Sequence, residues 1–211
     1  MSLKMSPNTK FIGITGGIGS GKSYVCRLLE QAGIPIFYTD DEAKKLIRHH
    51  RPLQQQLTAI VGPGLYDAEG RLVKSVMAAF LCRGEDYAEQ VNRVVHPCVA
   101  EAFRKWAGSQ TAPLAGMECA LLFESGFNRL VDRTLLVAAP LELRISRVMQ
   151  RDRLNRQQAL HWIQLQMTEE EKRRLADYVI ENDEVQPLEP QISDLCRRLS
   201  FLIPLKAGNP A

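Results

Sequence analysis

The N-terminal part of the chain contains a motif that fixes one supersecondary unit of the fold. Residues 16–23 have the sequence Gly-Gly-Ile-Gly-Ser-Gly-Lys-Ser, which matches the P-loop pattern G-x-x-x-x-G-K-[S/T]. The mostly apolar run Phe11–Thr15 before the motif predicts a buried strand. Residues 24–29 after it predict a helix that ends at Ala32-Gly33. A phosphate-binding loop requires a strand, a glycine-rich turn and a helix in this order.

The chemistry of the motif points to a nucleotide. Its glycines let the backbone bend so tightly that several N–H groups converge on phosphate oxygens. Lys22 can reach the β- and γ-phosphates, and the Ser23 hydroxyl can ligate Mg²⁺. The predicted phosphate contacts are Gly17, Gly19, Ser20, Gly21, Lys22 and Ser23. The alternative, a glycine-rich turn that precedes Lys-Ser by chance, leaves the flanking strand and helix unexplained.

Composition excludes several classes of protein. Of the 211 residues, 45% are hydrophobic and 24% are charged, which is typical of a soluble globular protein. A net charge of +3 is too small to indicate a nucleic-acid partner, and no apolar run approaches a membrane span. Residues 1–10 have no signal-peptide core. The five cysteines form no C-x-x-C pair, so we expect reduced thiols, no zinc and a cytoplasmic location.

Strand and helix patterns alternate along the chain. Apolar runs predict strands at 11–15, 34–38, 116–123, 134–138 and 178–180. Helical periodicity and capping predict helices at about 42–50, 52–61, 75–106 (broken near Arg83-Gly84), 141–151 and 188–202. Asn155 with Gln158 and Thr168 with Glu171 form two capping-box patterns. Pro97 is expected to kink or locally end the helix that contains it.

This alternation predicts an α/β fold with a five-stranded, mainly parallel sheet covered by helices on both faces. We expect one domain over 10–202. Its core comprises about 10–40, 114–140 and 176–202, with a helical substrate-binding insertion at about 41–110 and a helical lid at about 141–175. We expect flexible termini at 1–9 and 203–211.

Two carboxylates are predicted to follow strand ends. Asp40 comes just after the second strand, at the sheet edge expected to carry the P-loop, where it can accept a hydroxyl proton or bind Mg²⁺ through water. The alternative is that Asp40 only caps a helix beginning at Asp41. Glu124 is predicted to end the third strand, where it can orient substrate or metal-bound water, although many such carboxylates are simply solvated.

The densest basic cluster lies in the predicted lid. Arg144, Arg147 and Arg151 share one helix face, and Arg153 and Arg156 follow. A mobile arginine-bearing segment can close over a triphosphate and neutralise its charge. The alternative is a solvated basic face paired with surface acids.

The remaining patterns favour a small-molecule kinase. The chain has neither a guanine-binding Asn/Thr-Lys-x-Asp motif nor a strand ending in the Asp of a motor ATPase. His96, within a long helical pattern, is either structural or a ligand for substrate phosphate. A non-catalytic protein that uses ATP to order its lid is an alternative, which the combination of Lys22, Ser23 and Asp40 disfavours.

Several segments together resemble the dephospho-CoA kinase family over about 10–202. The matching segments are Ile14–Ser23 with its Thr-Gly-Gly-Ile-Gly start, Val95-His96-Pro97, Leu121-Leu122-Phe123-Glu124, Met149-Gln150-Arg151-Asp152 and residues 176–182. The resemblance implies a P-loop kinase fold and phosphorylation of the ribose 3′-hydroxyl of dephospho-CoA, with ATP as co-substrate and Mg²⁺ as cofactor. The alternative is a P-loop kinase that acts on another small alcohol, such as a nucleoside, a nucleotide or a sugar.

The resemblance also implies roles for individual residues. Asp40 is the catalytic base, and Lys22, Arg147 and Arg151 act on the phosphates. Tyr24 and Asn182 belong to the ATP site, whereas His96 and Glu124 face the CoA side together with Asp40. The chain departs from the family pattern at four positions. These are Tyr38 in place of the first acid of Asp-x-Asp, Tyr24 in place of Thr, Ala120 in place of Pro, and Trp162 at a position that is often basic.

Overall fold

The computed structural model describes residues 9–200, which divide into two compact units. Unit 1 comprises the chain up to Phe37 and the chain from Ala107 onward, and unit 2 comprises Tyr38–Trp106. Unit 2 therefore contains most of the predicted insertion. Of the predicted flexible termini, residues 1–8 and 203–211 lie outside the described part. Thr9 is buried, and its hydroxyl donates to the carbonyl of Ala112.

Unit 1 is built on a five-stranded sheet with the strand order β2-β3-β1-β4-β5. The strands are β1 (Lys10–Thr15), β2 (Ile36–Tyr38), β3 (Leu114–Glu118), β4 (Arg133–Ala138) and β5 (Tyr178–Glu181). The β1–β3, β1–β4 and β4–β5 pairs are parallel. The central strand β1 is buried from Phe11 to Thr15, as its apolar sequence predicts.

Helices follow the strands of unit 1, as the alternating pattern predicts. They are α1 (Lys22–Gln31), α6 (Leu141–Asp152), α7 (Arg156–Gln164), α8 (Glu169–Leu175) and α9 (Leu188–Ser200). Both predicted capping boxes are present, at the first residues of α7 and α8. They fix where these two short helices begin. The predicted end of the last helix, at residue 202, lies outside the described residues.

Unit 2 is helical. It contains α2 (Thr39–His49), α3 (Arg51–Val61), α4 (Lys74–Leu81) and most of α5 (Glu85–Gly108). The predicted break near Arg83-Gly84 separates α4 from α5. Of the two effects expected of Pro97, a kink or a local end of the helix, the second does not occur, because α5 continues through Pro97. Proline removes one backbone donor from a helix and crowds the carbonyl four residues earlier, but the buried side chains of Val95, Val99 and Phe103 hold α5 on both sides of it.

The third strand ends earlier than its apolar sequence predicts. β3 stops at Glu118, and residues 120–126 form turns, so the prediction that Glu124 ends the strand is wrong. Its neighbour β1 ends at Thr15, where the glycine loop begins, and the chain beyond Cys119 therefore has no edge of β1 to pair with. Within the apolar residues 120–123, Leu122 is fully buried, and its side chain lies against Gly13 of β1.

No helix among the described residues is both long enough and apolar enough to cross a membrane.

Candidate active site

The glycine loop, residues 16–21 of the P-loop motif, connects β1 to α1 in a tight turn. Gly19 and Gly21 have φ values of +82° and +84°, a region that side chains rarely allow. The Ser20 N–H donates to the Gly17 carbonyl at 3.0 Å, and the Gly21 carbonyl accepts the N–H groups of Tyr24 and Val25 at the start of α1. The structure therefore brings the predicted P-loop residues together at the carboxyl end of the central strand.

A buried acid that the sequence analysis missed lies next to this loop. Glu118 is the last residue of β3 and is opposite Ile14 in the register of β1 and β3. It is 5% exposed and forms an ion pair with Lys22. An acid within the otherwise apolar run around it is unusual unless the charge is paired. That sequence signal could have identified Glu118, rather than Glu124, as the strand-end carboxylate.

Arg144 lies beneath the first half of the loop. It is 5% exposed, and its Nε donates to the Ile18 carbonyl at 3.0 Å. A Cβ atom on Gly17 would lie 2.2 Å from the guanidinium, so this glycine is required for the close approach. Burial lowers the pKa of Arg144, and the Glu169 carboxylate opposes that shift. The side chain thus supports the loop backbone from a buried position.

Arg147 and Asn182 hold the second half of the loop. Arg147 donates to the carbonyls of Gly19 (3.2 Å) and Asn182 (3.2 Å), and Asn182 Nδ2 donates to the Ser20 carbonyl at 2.7 Å. Because the C=O and N–H of one trans peptide point in opposite directions, anchoring the Ser20 carbonyl turns the Gly21 N–H to the other side. Asn182 is buried, so its side chain is a structural part of the loop.

The remaining predicted lid arginines lie at the surface. Arg151 is paired with Asp152 at 2.7 Å, and Arg156 is paired with Glu142 at 2.7 Å. The five arginines of the basic cluster therefore divide into two that contact the loop backbone, two that form exposed ion pairs, as the surface alternative expects of such residues, and Arg153, which is exposed just after α6.

The segment 166–172, which connects α7 to the first turns of α8, is anchored to two loops of the core. Gln166 Oε1 accepts the Ile18 N–H at 2.8 Å, and Glu124 Oε1 accepts the Met167 N–H at 3.3 Å. Lys172 is completely buried, donates to the Ala120 carbonyl at 3.1 Å and lies 3.2 Å from Glu124 Oε1. This part of the predicted lid is thus tied both to the P-loop and to the chain after β3.

Two predicted site residues belong to unit 2. Asp40 is the second residue of α2 and is exposed, and its carboxylate has no hydrogen-bond partner within residues 9–200. The alternative that it caps a helix is wrong, because α2 begins at Thr39 and its N-cap residue is Tyr38. His96 lies within α5 and is half-buried, and this burial lowers the pKa of its imidazole.

We expect Gly21→Ala to destabilise the loop far more than a mutation at a matched glycine. Gly21 and Gly33 have the same φ of +84°, but a Cβ on Gly21 would lie 2.1 Å from Asn182 Nδ2, whereas a Cβ on Gly33 meets nothing within 4 Å. Gly33→Ala should cost about 1 kcal/mol from backbone strain alone. Gly21→Ala should cost about 1–2 kcal/mol more and weaken ATP binding.

Urea unfolding and ATP titration of both variants measure these effects. Equal losses of stability and unchanged ATP affinity in the two variants would show that the Asn182 contact is unimportant.

Comparison with known proteins identifies the family. A family model described as dephospho-CoA kinase matches residues 10–187. The chain belongs to the dephospho-CoA kinase family. The dephospho-CoA kinase of Bacteroides fragilis (strain YCH46) is 43% identical over 185 residues, covering 87% of this chain and 90% of that protein. That of Corynebacterium diphtheriae is 36% identical over 178 residues, covering 82% and 88%.

Solved structures show the same fold. The Thermus thermophilus protein TT1252 has a TM-score of 0.77 and 36% identity, covering 92% of this chain and 98% of that one. The dephospho-CoA kinase from Campylobacter jejuni, at 19% identity and a TM-score of 0.64, shares the fold. The family model and the relatives show that the chain is a kinase and confirm the resemblance described in its motifs.

Proposed function

We propose that this chain transfers the γ-phosphoryl group of ATP to the ribose 3′-hydroxyl of dephospho-CoA, giving CoA and ADP. The observation that carries the proposal is the intact P-loop of a dephospho-CoA kinase family member, in which Lys22 is held by the buried Glu118. The loop is supported from both sides by Arg144, Arg147 and Asn182. This support favours a loop whose geometry exists before the nucleotide arrives.

In the proposed reaction, the 3′-oxygen of the acceptor attacks the γ-phosphorus, and the bond to the β,γ-bridging oxygen breaks. Asp40 takes the hydroxyl proton, a role open to an exposed carboxylate that has no partner within the described part of the chain. Backbone N–H groups of the P-loop and the Lys22 ammonium stabilise the charge on the β- and γ-phosphates. Phosphoryl transfer depends mainly on such positioning and charge neutralisation.

The oxygen ligands near Lys22 are suited to Mg²⁺. Ser23 offers a hydroxyl, and Glu118 offers a carboxylate at the end of the neighbouring strand. Mg²⁺ prefers such hard oxygen ligands, few in number and supplemented by water and phosphate. Within residues 9–200, no cluster of three or more His, Cys, Asp or Glu side chains could hold a metal alone. We therefore propose that Mg²⁺ enters with ATP, and that when bound it neutralises phosphate charge.

Other predicted roles fit this reaction with one adjustment. Arg147 and Asn182 hold loop carbonyls, so we assign them to shaping the ATP site, and Tyr24 follows the loop on α1. Arg151 approaches the phosphates only if it leaves Asp152.

Glu124 contacts Lys172 through Oε1, and its Oε2 accepts no hydrogen bond from the described residues, which leaves this oxygen for the acceptor. His96 remains a proposed acceptor contact.

A cytoplasmic location is part of the proposal. None of the five cysteines forms a disulfide bond, which suits a reducing compartment.

The decisive experiment is a coupled assay of ADP release from Mg-ATP with dephospho-CoA as acceptor. We expect turnover that depends on both substrates and yields CoA as the nucleotide product. Adenosine, shikimate and gluconate serve as alternative acceptors in parallel reactions. Folded protein that binds ATP yet transfers phosphate to none of them would favour the non-catalytic alternative, whereas preference for another alcohol would indicate a different P-loop kinase.

A further inference from the structure

Unit 2 contains an open basic pocket that none of the roles above uses. It lies among the C-terminal end of α2, the first turns of α3, the turn 67–72 and the start of α4, and has a volume of about 490 Å³. Arg48, Arg51, Gln54, Glu69, Arg71 and Lys74 contribute to its wall. Every one of these residues belongs to unit 2.

The charge of the pocket is strongly unbalanced. Four of these side chains are cationic and one, Glu69, is acidic. Glu69 is paired with Arg71 at 2.9 Å, and Arg71 also pairs with Asp67 at 2.8 Å. Among the residues that the structure describes, no carboxylate lies within ion-pair distance of Arg48, Arg51 or Lys74. By contrast, Lys44 and Lys45 earlier in α2 are paired with acids. The pocket therefore presents three uncompensated cations.

Hydrogen bonds hold the wall of the pocket in place. The Asp67 carboxylate accepts the N–H groups of Glu69 and Arg71, which closes the turn on itself. The Tyr66 hydroxyl donates to the carbonyl of Ile47 at 2.8 Å and ties this turn to α2. Gln54 Nε2 donates to the Arg48 carbonyl at 2.7 Å and ties α3 to α2. Hydrogen bonds thus fix the backbone that carries the three cations.

Three cations on a fixed wall match a ligand with several anionic oxygens. Arginine presents a planar fork of N–H donors that suits phosphate oxygens, and lysine adds a compact charge. The donor phosphates of the proposed reaction are accounted for by the P-loop of unit 1, whereas dephospho-CoA carries a diphosphate of its own. We propose that the pocket formed by Arg48, Arg51 and Lys74 binds the diphosphate of the acceptor, an assignment that rests on the proposed function.

The test compares two double variants that remove equal charge from unit 2. Arg48→Gln/Arg51→Gln changes the pocket, and Arg104→Gln/Lys105→Gln changes exposed cations of α5 that lie outside it. For the pocket variant we expect the KM for dephospho-CoA to rise at least about tenfold, because two charged contacts are lost. Its kcat and its KM for ATP should stay within about twofold, and the control variant should match the wild type.

Calorimetric titration of dephospho-CoA into each variant without ATP separates this proposal from the proposed function. Wild-type protein that binds dephospho-CoA through the pocket but forms no ADP would contradict the proposed function and leave the pocket assignment supported. Normal turnover with the same dephospho-CoA affinity in the pocket and control variants would overturn the pocket assignment. Absence of dephospho-CoA binding by the wild type would overturn it as well. Circular dichroism of each variant confirms that it is folded.

Discussion

Asp40→Asn is expected to lower kcat by about 10²- to 10⁴-fold, the range that a general base contributes. The amide keeps the size of the side chain but cannot accept the proton of the acceptor hydroxyl. ATP affinity should stay within about twofold of wild type, because the phosphate contacts that we propose belong to the P-loop of unit 1. Single-turnover kinetics and ATP titration measure the two quantities separately.

The neighbouring residue provides a matched control. Asp41 also lies in the first turn of α2, but its carboxylate is paired with Lys44 at 2.9 Å. Asp40→Asn and Asp41→Asn each remove one negative charge from the same helix start, so they share any loss of favourable interaction with the helix dipole. Only Asp40→Asn should lose turnover. Equal, small effects of both variants would assign Asp40 to helix stabilisation and would rule it out as the base.

The P-loop could be predicted from the sequence because its chemistry is local. A strand, a glycine turn and a helix lie within consecutive residues, and the glycines needed for φ values above +80° at Gly19 and Gly21 are visible in the motif. The capping boxes at Asn155 and Thr168 were predictable for the same reason, since each is a contact across three residues. The alternation of strands and helices likewise predicted the parallel sheet.

The groups that support the loop could not be predicted in this way. Arg144, Arg147 and Asn182 contact the loop across more than one hundred and twenty residues of sequence. A run of arginines at helical spacing is compatible with either a mobile lid or a surface face. Only the fold shows that Arg144 is buried under Ile18 while Arg151 pairs with its neighbour Asp152.

The misplacement of the third strand end has a similar cause. Residues 116–123 are apolar throughout apart from Glu118, and apolarity alone does not distinguish a buried strand from a buried turn. The length of β3 is set by its partner β1, which ends where the glycine loop begins. The strand-end acid is therefore Glu118, which pairs with Lys22, and Glu124 belongs to the loop that anchors the segment 166–172.

The pair of Lys172 and Glu124 in this anchor is expected to have a large effect on the stability of the protein. Lys172 is completely buried, whereas the side chain of its partner Glu124 is 25% exposed. Glu124→Gln leaves an ammonium group in the interior without its carboxylate, and should lower the free energy of unfolding by about 3–5 kcal/mol. Lys172→Met leaves a carboxylate that still accepts the Met167 N–H and retains access to water. Its cost should be smaller, about 1–3 kcal/mol.

The double variant Lys172→Met/Glu124→Gln decides whether the pair acts as one unit. Replacement of both charges removes the buried ammonium group, and Thr15 Oγ1 still donates to the Ala120 carbonyl at 3.1 Å. We therefore expect the double variant to be more stable than Glu124→Gln alone, with a coupling free energy of at least about 1 kcal/mol. Arg174→Met, which breaks the exposed pair with Glu170 on the same helix, should cost less than about 1 kcal/mol.

Urea unfolding of the four variants at one pH provides these free energies. The decisive result is the order of the two single variants. If Lys172→Met proves more destabilising than Glu124→Gln, burial of the ammonium charge does not dominate the anchor, and packing of the lysine side chain must account for it instead. If the predicted order holds, the buried charge of Lys172, which is paired only when the segment 166–172 is in place, couples this segment to the folded core. Gln166 extends the coupling to the tip of the P-loop.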